Sequence, residues 1–406
     1  MIRKAAKKIE YLVKTSRAYN KEAWAELERE GKFPQHDEAH HLKETLGWIK
    51  RAQDAYTEGG VARGYSAAWN KYFNGKGWQP PYPETTGYII PTFFEAARLL
   101  RDSVLADRAA RMADWETGIQ MKNGAVRGGA INPEDPIPSV FCTGQVIFGW
   151  ARAYEETKNI KYLDAGNRAG DYLLSVQDKD GCYHEDARYD FARKDSTVYH
   201  TRVAWSMALL GSSSGNDGFI RSAEKNILYN LKFQQPNGWF ANNCLYDPDM
   251  PLLHTICYAL RGVLETGLLL NNEGFIAAAK TAADNLLVVV EENAFPPGRL
   301  DKHWKGTVGW SCLTGNAQLA IILLRLHQRT SDARYALAAQ KLINFIKTTQ
   351  NCVDSDPGIR GGIKGSYPFN GGYGTFQMLN WAAKFYADAL LLNMAIKRNM
   401  EYRVHG

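Results

Sequence analysis

The segments Gln120-Met-Lys-Asn-Gly124, Gln177-Asp-Lys-Asp-Gly181 and Gln234-Gln-Pro-Asn-Gly238 repeat one short pattern along a chain of 406 residues. In each segment a glutamine ends a helix-like stretch, and a glycine follows four residues later. The glutamines are 57 residues apart, and Glu291 and Gln350 continue the series at intervals of 57 and 59. Asn-Gly and Asp-Gly pairs are typical of tight turns because both residues tolerate positive φ. A fixed period over most of the chain predicts a repeat architecture.

A series of threonines marks a second element in each repeat. Each stands before or within the first turn of an apolar segment, where its hydroxyl can accept an N–H bond that a helix start leaves unsatisfied. The series is Thr86, Thr143, Thr201, Thr255, Thr314 and Thr375. Between these markers the apolar residues recur at spacings of three and four, which predicts amphipathic helices. These cover residues 40–56, 104–120, 160–177, 219–234, 274–290 and 332–350.

Six amphipathic and six apolar helices of similar length predict an all-α fold, the (α/α)6 toroid of six helical hairpins. The apolar helices would form the inner wall and the amphipathic helices the outer layer. Residues 38–406 would form this toroid as a catalytic domain, and residues 1–37 a short N-terminal helical extension. We find no convincing strand pattern. An open solenoid would need polar end caps, which the sequence does not show. A two-domain all-α protein would interrupt the repeat, which instead continues along the chain.

Composition and motifs exclude several classes of function. The chain has 49 basic and 43 acidic residues, a net charge of +6, and no nucleic-acid-binding module. No run approaches the roughly 18 apolar residues of a membrane span. The basic start of the chain lacks an apolar secretory core, so we expect a cytoplasmic location. Without a Walker loop, dinucleotide fingerprint or nucleophile elbow, we expect no cofactor.

The repeat also predicts where a site would lie. The inner helices would begin at one end of the ring, where their N-termini carry unpaired N–H groups and partial positive charge. The long loops at that end are rich in aromatic residues and arginines. Aromatic rings stack on sugars and arginines pair with carboxylates, so this end is predicted to bind an anionic oligosaccharide or polysaccharide. Expected binding residues are Trp78, Tyr88, Gln145, Trp239, Trp310 and Tyr373.

Two histidines occupy the same register position in adjacent repeats, each directly before a marker threonine. We expect His200 and His254 to flank one side of the mouth, and no third ligand is spaced to hold a metal with them. Abstraction of a C5 proton from a uronate needs an acid/base group and a group that neutralises the carboxylate. The acid/base candidates are Tyr199, His200, His254 and Tyr258, and the carboxylate ligands are Arg202 and Asn316.

A glycoside hydrolase remains an alternative. Glu84 stands at the predicted mouth, and hydrolysis usually needs a second carboxylate roughly 5–10 Å away. The available partners lie in the third and fifth loops, and the third is not adjacent to the first repeat in the ring. They are Glu185, Asp186, Asp190, Asp195 and Asp301. A non-catalytic glycan-binding protein of polysaccharide assembly is a further alternative, and the sequence does not indicate an oligomeric state.

Several motifs resemble a bacterial family found with polysaccharide-biosynthesis genes, and the resemblance covers nearly the whole chain. They are Pro81-Tyr-Pro-Glu-Thr-Thr-Gly-Tyr88, Thr143-Gly-Gln-Val-Ile-Phe-Gly149, Tyr199-His-Thr-Arg-Val-Ala-Trp205, Leu313-Thr-Gly-Asn-Ala-Gln318 and Asn380-Trp-Ala-Ala-Lys384. That family is similar in form to toroidal polysaccharide lyases, six-hairpin glycosidases and sugar epimerases. The resemblance implies a role in surface-glycan metabolism, but no particular reaction. The glutamine–glycine repeat is also similar to that of squalene-type terpene cyclases, but their D-x-D-D motif is incomplete here.

Overall fold

The computed structural model describes residues 2–131, 135–188, 192–404 and 406, with side chains described from residue 9 onward. Two helices precede the repeats, α1 (Ile2–Thr15) and α2 (Lys21–Glu28). Twelve further helices then alternate between an outer and an inner layer. They are α3 (Glu38–Asp54), α4 (Pro83–Leu100), α5 (Ser103–Ile119), α6 (Val140–Thr157), α7 (Ile160–Ser175), α8 (Thr201–Ser214), α9 (Asp217–Leu231), α10 (Leu253–Leu270), α11 (Glu273–Glu292), α12 (Leu313–Thr330), α13 (Ala333–Thr349) and α14 (Asn380–Lys397).

The even-numbered helices from α4 to α14 form a closed inner ring. Each packs against the next in chain order, and α14 packs back against α4. The odd-numbered helices from α3 to α13 cover this ring from outside, each against an inner helix. The prediction of an (α/α)6 toroid is therefore confirmed. No helix in the described part of the chain has both the length and the apolar content to cross a membrane.

Two-residue turns connect five inner helices to the outer helices that follow. The first turn residue has a left-handed φ, and the side chain of the second, an Asp or Asn, accepts a hydrogen bond from an N–H of the next helix. One residue therefore ends a helix and its neighbour caps another. These turns are Arg101–Asp102, Lys158–Asn159, Gly215–Asn216, Asn271–Asn272 and Ser331–Asp332. These five turns lie at one end of the ring. The long loops, which lead from each outer helix to the next inner helix, therefore lie at the opposite end.

The repeated glutamine and glycine join each long loop to the next outer helix. The Gln177 amide donates to the carbonyl oxygens of Gly181 in its own loop (3.1 Å) and Ser222 in α9 (3.0 Å). Gly181 has φ +101°, and a Cβ there would lie 2.3 Å from the Lys225 carbonyl oxygen. The same Gln–Gly contact recurs at Gln53 and Gly59, Gln120 and Gly124, Gln234 and Gly238, and Gln350 and Gly361. We call this contact the loop lock; its last copy bonds Thr45 of α3 and so closes the outer layer.

Two of the marker threonines accept hydrogen bonds from the long loops that precede their helices. The Thr86 hydroxyl accepts from the Val61 N–H (3.0 Å), and the Thr143 hydroxyl accepts from the Val126 N–H (2.9 Å). The sixth position was misassigned, because α14 begins at Asn380, five residues after Thr375. The Thr375 hydroxyl instead bonds a carbonyl within its loop. An extra loop segment before the last inner helix explains the shifted register.

Short strands, which the sequence did not indicate, organise the loop end. A three-stranded antiparallel sheet has the order β2–β1–β7, and two further strand pairs are β3 with β4 and β5 with β6. The strands are β1 (Gly64–Asn70), β2 (Gly75–Trp78), β3 (Val126–Arg127), β4 (Pro138–Ser139), β5 (Ser311–Cys312), β6 (Ser366–Tyr367) and β7 (Gln377–Leu379). Most have two to four residues, too few to show a period-2 pattern. The β1–β7 pairing brings the first and last long loops together beside the ring mouth.

Candidate active site

A cavity of about 400 Å³ opens at the end of the ring where the inner helices begin. Its lining comes from the first turns of α4, α6, α10 and α14 and from the loops around them. Eight aromatic side chains surround the space, together with two arginines, one histidine and one glutamate. These are Tyr82, Tyr88, Phe141, Tyr199, Tyr246, Tyr258, Tyr373, Trp381, Arg63, Arg299, His254 and Glu84.

Glu84 is the only carboxylic acid among the described lining residues. It lies in the first turn of α4 and is 8% exposed. The Tyr82 hydroxyl donates to its Oε2 (2.8 Å), and the Cys142 thiol lies 3.6 Å from the same oxygen. Burial raises the pKa of Glu84, against those hydrogen bonds and the charges of Arg63 and Arg202. The Glu84 carboxyl therefore loses its proton at a higher pH than the carboxyl of an exposed glutamate.

His254 is held neutral and in one tautomer. Burial, followed by the charge of Arg202, lowers the pKa of His254 to about 3. The Gln318 amide nitrogen, from the neighbouring helix α12, lies 2.6 Å from Nδ1 and also 3.5 Å from the His254 carbonyl oxygen. An amide N–H facing both acceptors means that Nδ1 accepts and that Nε2 carries the hydrogen. His254 thus offers the cavity an N–H donor.

Tyr258 lies between His254 and the buried Arg202. Its ring centroid is 4.3 Å from that of His254, and its hydroxyl is 3.5 Å from the hydroxyl of Tyr88. Burial raises the pKa of Tyr258, and the charge of Glu84 raises it further. The phenol is therefore protonated at neutral pH, where it can act as a general acid but not as a general base.

Arg202 lies beneath the cavity and not in its lining. Its guanidinium is 4.9 Å from the ring centroid of Tyr258 and 5.6 Å from that of Tyr88, and its Nε donates to the Gln145 oxygen (2.6 Å). Burial lowers the pKa of Arg202 to about 10. Because the aromatic rings separate it from the cavity, it acts on the site by its charge and not by contact.

Two other arginines do line the cavity. Arg63, directly before β1, lies 4.7 Å from the ring centroid of Trp381 and donates to the side chain of Gln79. Arg299 donates to the Met250 carbonyl oxygen. Arg63 and Trp381 are site residues that the sequence did not indicate. Arg63 lies in the first long loop and Trp381 in α14, and only the β1–β7 pairing brings that loop beside the last inner helix.

Three polar residues expected at the mouth lie elsewhere. His200 is 2% exposed and lines a separate pocket of about 150 Å³ that shares Tyr199 with the main cavity. The structure therefore does not place His200 and His254 in one cavity. The Tyr199 ring lines both spaces, and its centroid lies 4.6 Å from that of His200. Asn316 is fully buried and donates to the Ser311 hydroxyl. Gln145 is also fully buried, against Arg202.

The three tryptophans expected as sugar platforms pack against other side chains and do not line the cavity. Trp78 lies against Trp48 at 5.2 Å between ring centroids, and Trp239 lies against Trp304 at the same distance. Trp310 packs against Gly298 and Gly372, behind the cavity lining. Among the expected binding residues, Tyr88 and Tyr373 line the cavity, and the Tyr373 oxygen accepts from Trp381 (2.9 Å).

The other candidate carboxylates are engaged away from the cavity. Glu185 accepts from the Val140 and Phe141 N–H groups at the start of α6. Asp186 and Asp195 pair with Arg188 and Arg193, and Asp301 accepts from loop N–H groups. Asp190 lies outside the described residues. The described cavity therefore lacks a pair of carboxylates.

Comparison with solved structures supports the fold assignment. Unsaturated glucuronyl hydrolase from Bacillus sp. GL1 superposes with a TM-score of 0.69 at 15% identity, over 90% of this chain and 98% of its own. A sugar epimerase from a ruminal bacterium gives 0.70 at 13% identity, over 90% and 98%. A novel alpha-amylase from Clostridium perfringens gives 0.65 at 12%, over 88% and 98%. No family model and no curated protein matches the chain. Since these toroids have different activities, the shared fold does not decide the reaction.

Proposed function

We propose that this protein is a carbohydrate-active enzyme that binds an anionic saccharide in the cavity and abstracts the C5 proton of a uronate unit, as a lyase or an epimerase. The observation that carries the proposal is Glu84. It is a single buried carboxyl of raised pKa within an aromatic cavity that also holds two arginines. The names of the structural neighbours, among them glucuronyl hydrolases and sugar epimerases, agree with a saccharide substrate.

The cavity suits recognition of a uronate. Its volume lies within the roughly 300–1,000 Å³ of typical ligand pockets. Tyr88, Tyr258 and Tyr373 offer rings for the apolar faces of a sugar. Arg63 and Arg299 offer positive charge for its carboxylate. The same charges would stabilise the negative charge that develops on the carboxylate when C5 loses its proton.

Glu84 is the group we assign as the base. In its ionised form the carboxylate takes the C5 proton, and the electron pair of the C–H bond moves towards the substrate carboxylate. Its raised pKa makes it a stronger base than an ordinary glutamate. His254 cannot fill this role in the tautomer inferred from its contacts, because Nε2 carries a hydrogen and Nδ1 accepts from Gln318. His200, in its separate pocket, is not assigned a part.

Tyr258 is the proton donor of the proposed reaction, with Tyr199 as a further phenol in the lining. His254, which is neutral, contributes a hydrogen bond to the substrate and not a proton. In a lyase, a donor protonates the C4 oxygen as its bond to carbon breaks and a C4–C5 double bond forms. In an epimerase, a donor returns a proton to the opposite face of C5 and no bond between sugars breaks. The two reactions thus share the first step and differ in the second.

The test is incubation with uronate oligosaccharides in D₂O. We expect either absorbance from an unsaturated uronate product or deuterium at C5 without cleavage. Glu84→Gln should lower the rate by about 100-fold or more, whereas Glu292→Gln, at an exposed glutamate at the end of α11, should not. Arg63→Met should raise the KM for uronate substrates.

Three other outcomes would overturn the assignment. Release of sugar without unsaturation or deuterium would indicate a glycoside hydrolase, in which the raised pKa of Glu84 suits a general acid. Binding without turnover would indicate a glycan-binding protein. Full activity of Glu84→Gln would exclude Glu84 as the base.

A further inference from the structure

Helix α1 carries its apolar residues on the side that faces away from the protein. Ile9, Leu12 and Val13 are 62%, 58% and 55% exposed and share one helical face at spacings of three and four. The sequence continues that register with Ile2, Ala5 and Ala6. A surface helix normally turns such a face towards the core, so this face requires a partner outside the described fold.

The contacts of α1 with the body come from its other side. The Tyr11 ring meets Trp69 edge-on at 5.7 Å between centroids, and the Lys14 ammonium lies 5.7 Å from the Trp69 ring centroid. Tyr11 and Lys14 are three positions apart and so lie on one face, opposite Ile9 and Val13. The helix is therefore attached through its polar side.

The charge of α1 is strongly basic. Its fourteen residues contain five lysines and arginines and one glutamate. Pairing with a second α1 would bring two such cationic helices together, which charge repulsion disfavours. A helix with an exposed apolar stripe and a lysine-rich remainder is the type that lies in the interface of an anionic lipid bilayer.

Two exposed tyrosines lie just after α1 and in the hairpin that α1 contacts. Tyr72, in the turn between β1 and β2, is 79% exposed, and Tyr19, just after α1, is 43% exposed. The Lys76 ammonium of β2 lies 4.8 Å from the Tyr19 ring centroid, which ties Tyr19 to the same hairpin. Tyrosines with a polar tip and an apolar body are favoured at membrane–water interfaces.

We propose that α1 docks this protein onto the surface of an anionic lipid bilayer, with Ile9, Leu12 and Val13 inserted into it. Strand β1 links this surface to the candidate active site. Trp69 contacts α1, and Arg63, six residues earlier, lines the cavity, a separation of about 20 Å along a strand. Docking through α1 would therefore hold the cavity within reach of membrane-linked saccharides.

Sedimentation with phospholipid vesicles tests the proposal. We expect the full chain to bind vesicles of phosphatidylcholine with phosphatidylserine, to bind phosphatidylcholine alone at least tenfold more weakly, and to be released by salt. The double variant Ile9→Asp with Leu12→Asp should lower binding tenfold or more. Leu337→Asp is the matched control, because Leu337 is 70% exposed on the outer helix α13.

Two results would overturn membrane docking. One is equal sedimentation of the double variant and the unsubstituted protein, whether both bind or neither does. The other is a dimer of the unsubstituted protein, seen by equilibrium sedimentation without lipid, that does not form in the double variant. The apolar face would then pair with a second copy of the chain. Circular dichroism would verify that each variant is folded. The measurement needs no substrate, so its outcome is independent of the proposed reaction.

Discussion

His254 owes its protonation state to its surroundings. Burial and the charge of Arg202 lower the pKa of His254 to about 3, and Gln318 directs the remaining hydrogen to Nε2. An exposed histidine, by contrast, titrates near pH 6.5. The residue types of Gln318 and Arg202 were visible in the sequence, but their positions around His254 come from packing between three inner helices.

The lowered pKa of His254 predicts a loss of stability in acid. The unfolded chain binds a proton below about pH 6.5, whereas the folded chain resists it down to about pH 3. The contribution of this group is therefore complete above pH 6.5 and falls by about 1.4 kcal/mol per pH unit below it. In urea unfolding at pH 7, 5 and 4, His254→Gln should lose less stability than the unsubstituted protein. His303→Gln, at an exposed position, should keep the original pH dependence, and equal slopes for His254→Gln would contradict the prediction.

At the scale of elements, the loop lock explains the repeat that the sequence shows. A glutamine amide satisfies two carbonyl oxygens at once, and a glycine lets the loop backbone touch the next outer helix. Glu291, the one exception in the series, is exposed and makes no such bond among the described residues. The contacts of the loop lock, and not helix formation, therefore require a glutamine and a glycine at each interval.

The loop lock predicts a large effect of a single methyl group. Gly181→Ala would place a Cβ 2.3 Å from the Lys225 carbonyl oxygen at a φ of +101°. We expect it to lower the free energy of unfolding by about 3 kcal/mol. Gly215→Ala is the matched control, because Gly215 also has positive φ (+71°) but no atom within 4 Å of the added Cβ. The control should cost only about 1 kcal/mol. Equal losses in urea unfolding would show that the close contact is unimportant.

At the scale of the whole molecule, ring closure connects the two ends of the repeat array. The Asn380 amide, in the first turn of α14, donates to the Ala62 carbonyl oxygen (3.0 Å) and to the Thr85 hydroxyl of α4 (2.8 Å). A closed ring has no terminal repeat that can unfold first, unlike an open solenoid. We therefore expect one cooperative unfolding transition.

Asn380→Ala removes both bonds at the closure and leaves buried acceptors unpaired. It should lower the free energy of unfolding by about 2 kcal/mol. Asn293→Ala should cost about 0.5 kcal/mol or less, because the Asn293 amide bonds only within its own helix end and is half-buried. Denaturant titration followed by tryptophan fluorescence measures both, and a smaller effect at Asn380 than at Asn293 would refute the role of the closure.

The sequence by itself determined the toroid, the alternation of outer and inner helices and the end at which the cavity lies. These follow from local periodicity and a fixed repeat, which each segment carries in its own residues. Only the tertiary structure decided which side chains meet. The cavity lining includes Glu84, His254 and Tyr258, which lie near the starts of inner helices as expected. The side chains of His200, Asn316 and the three expected platform tryptophans instead pack against neighbouring residues. Arg63 and Trp381 reach the site through pairing of the first and last loops, a contact between segments more than 300 residues apart that no local pattern records.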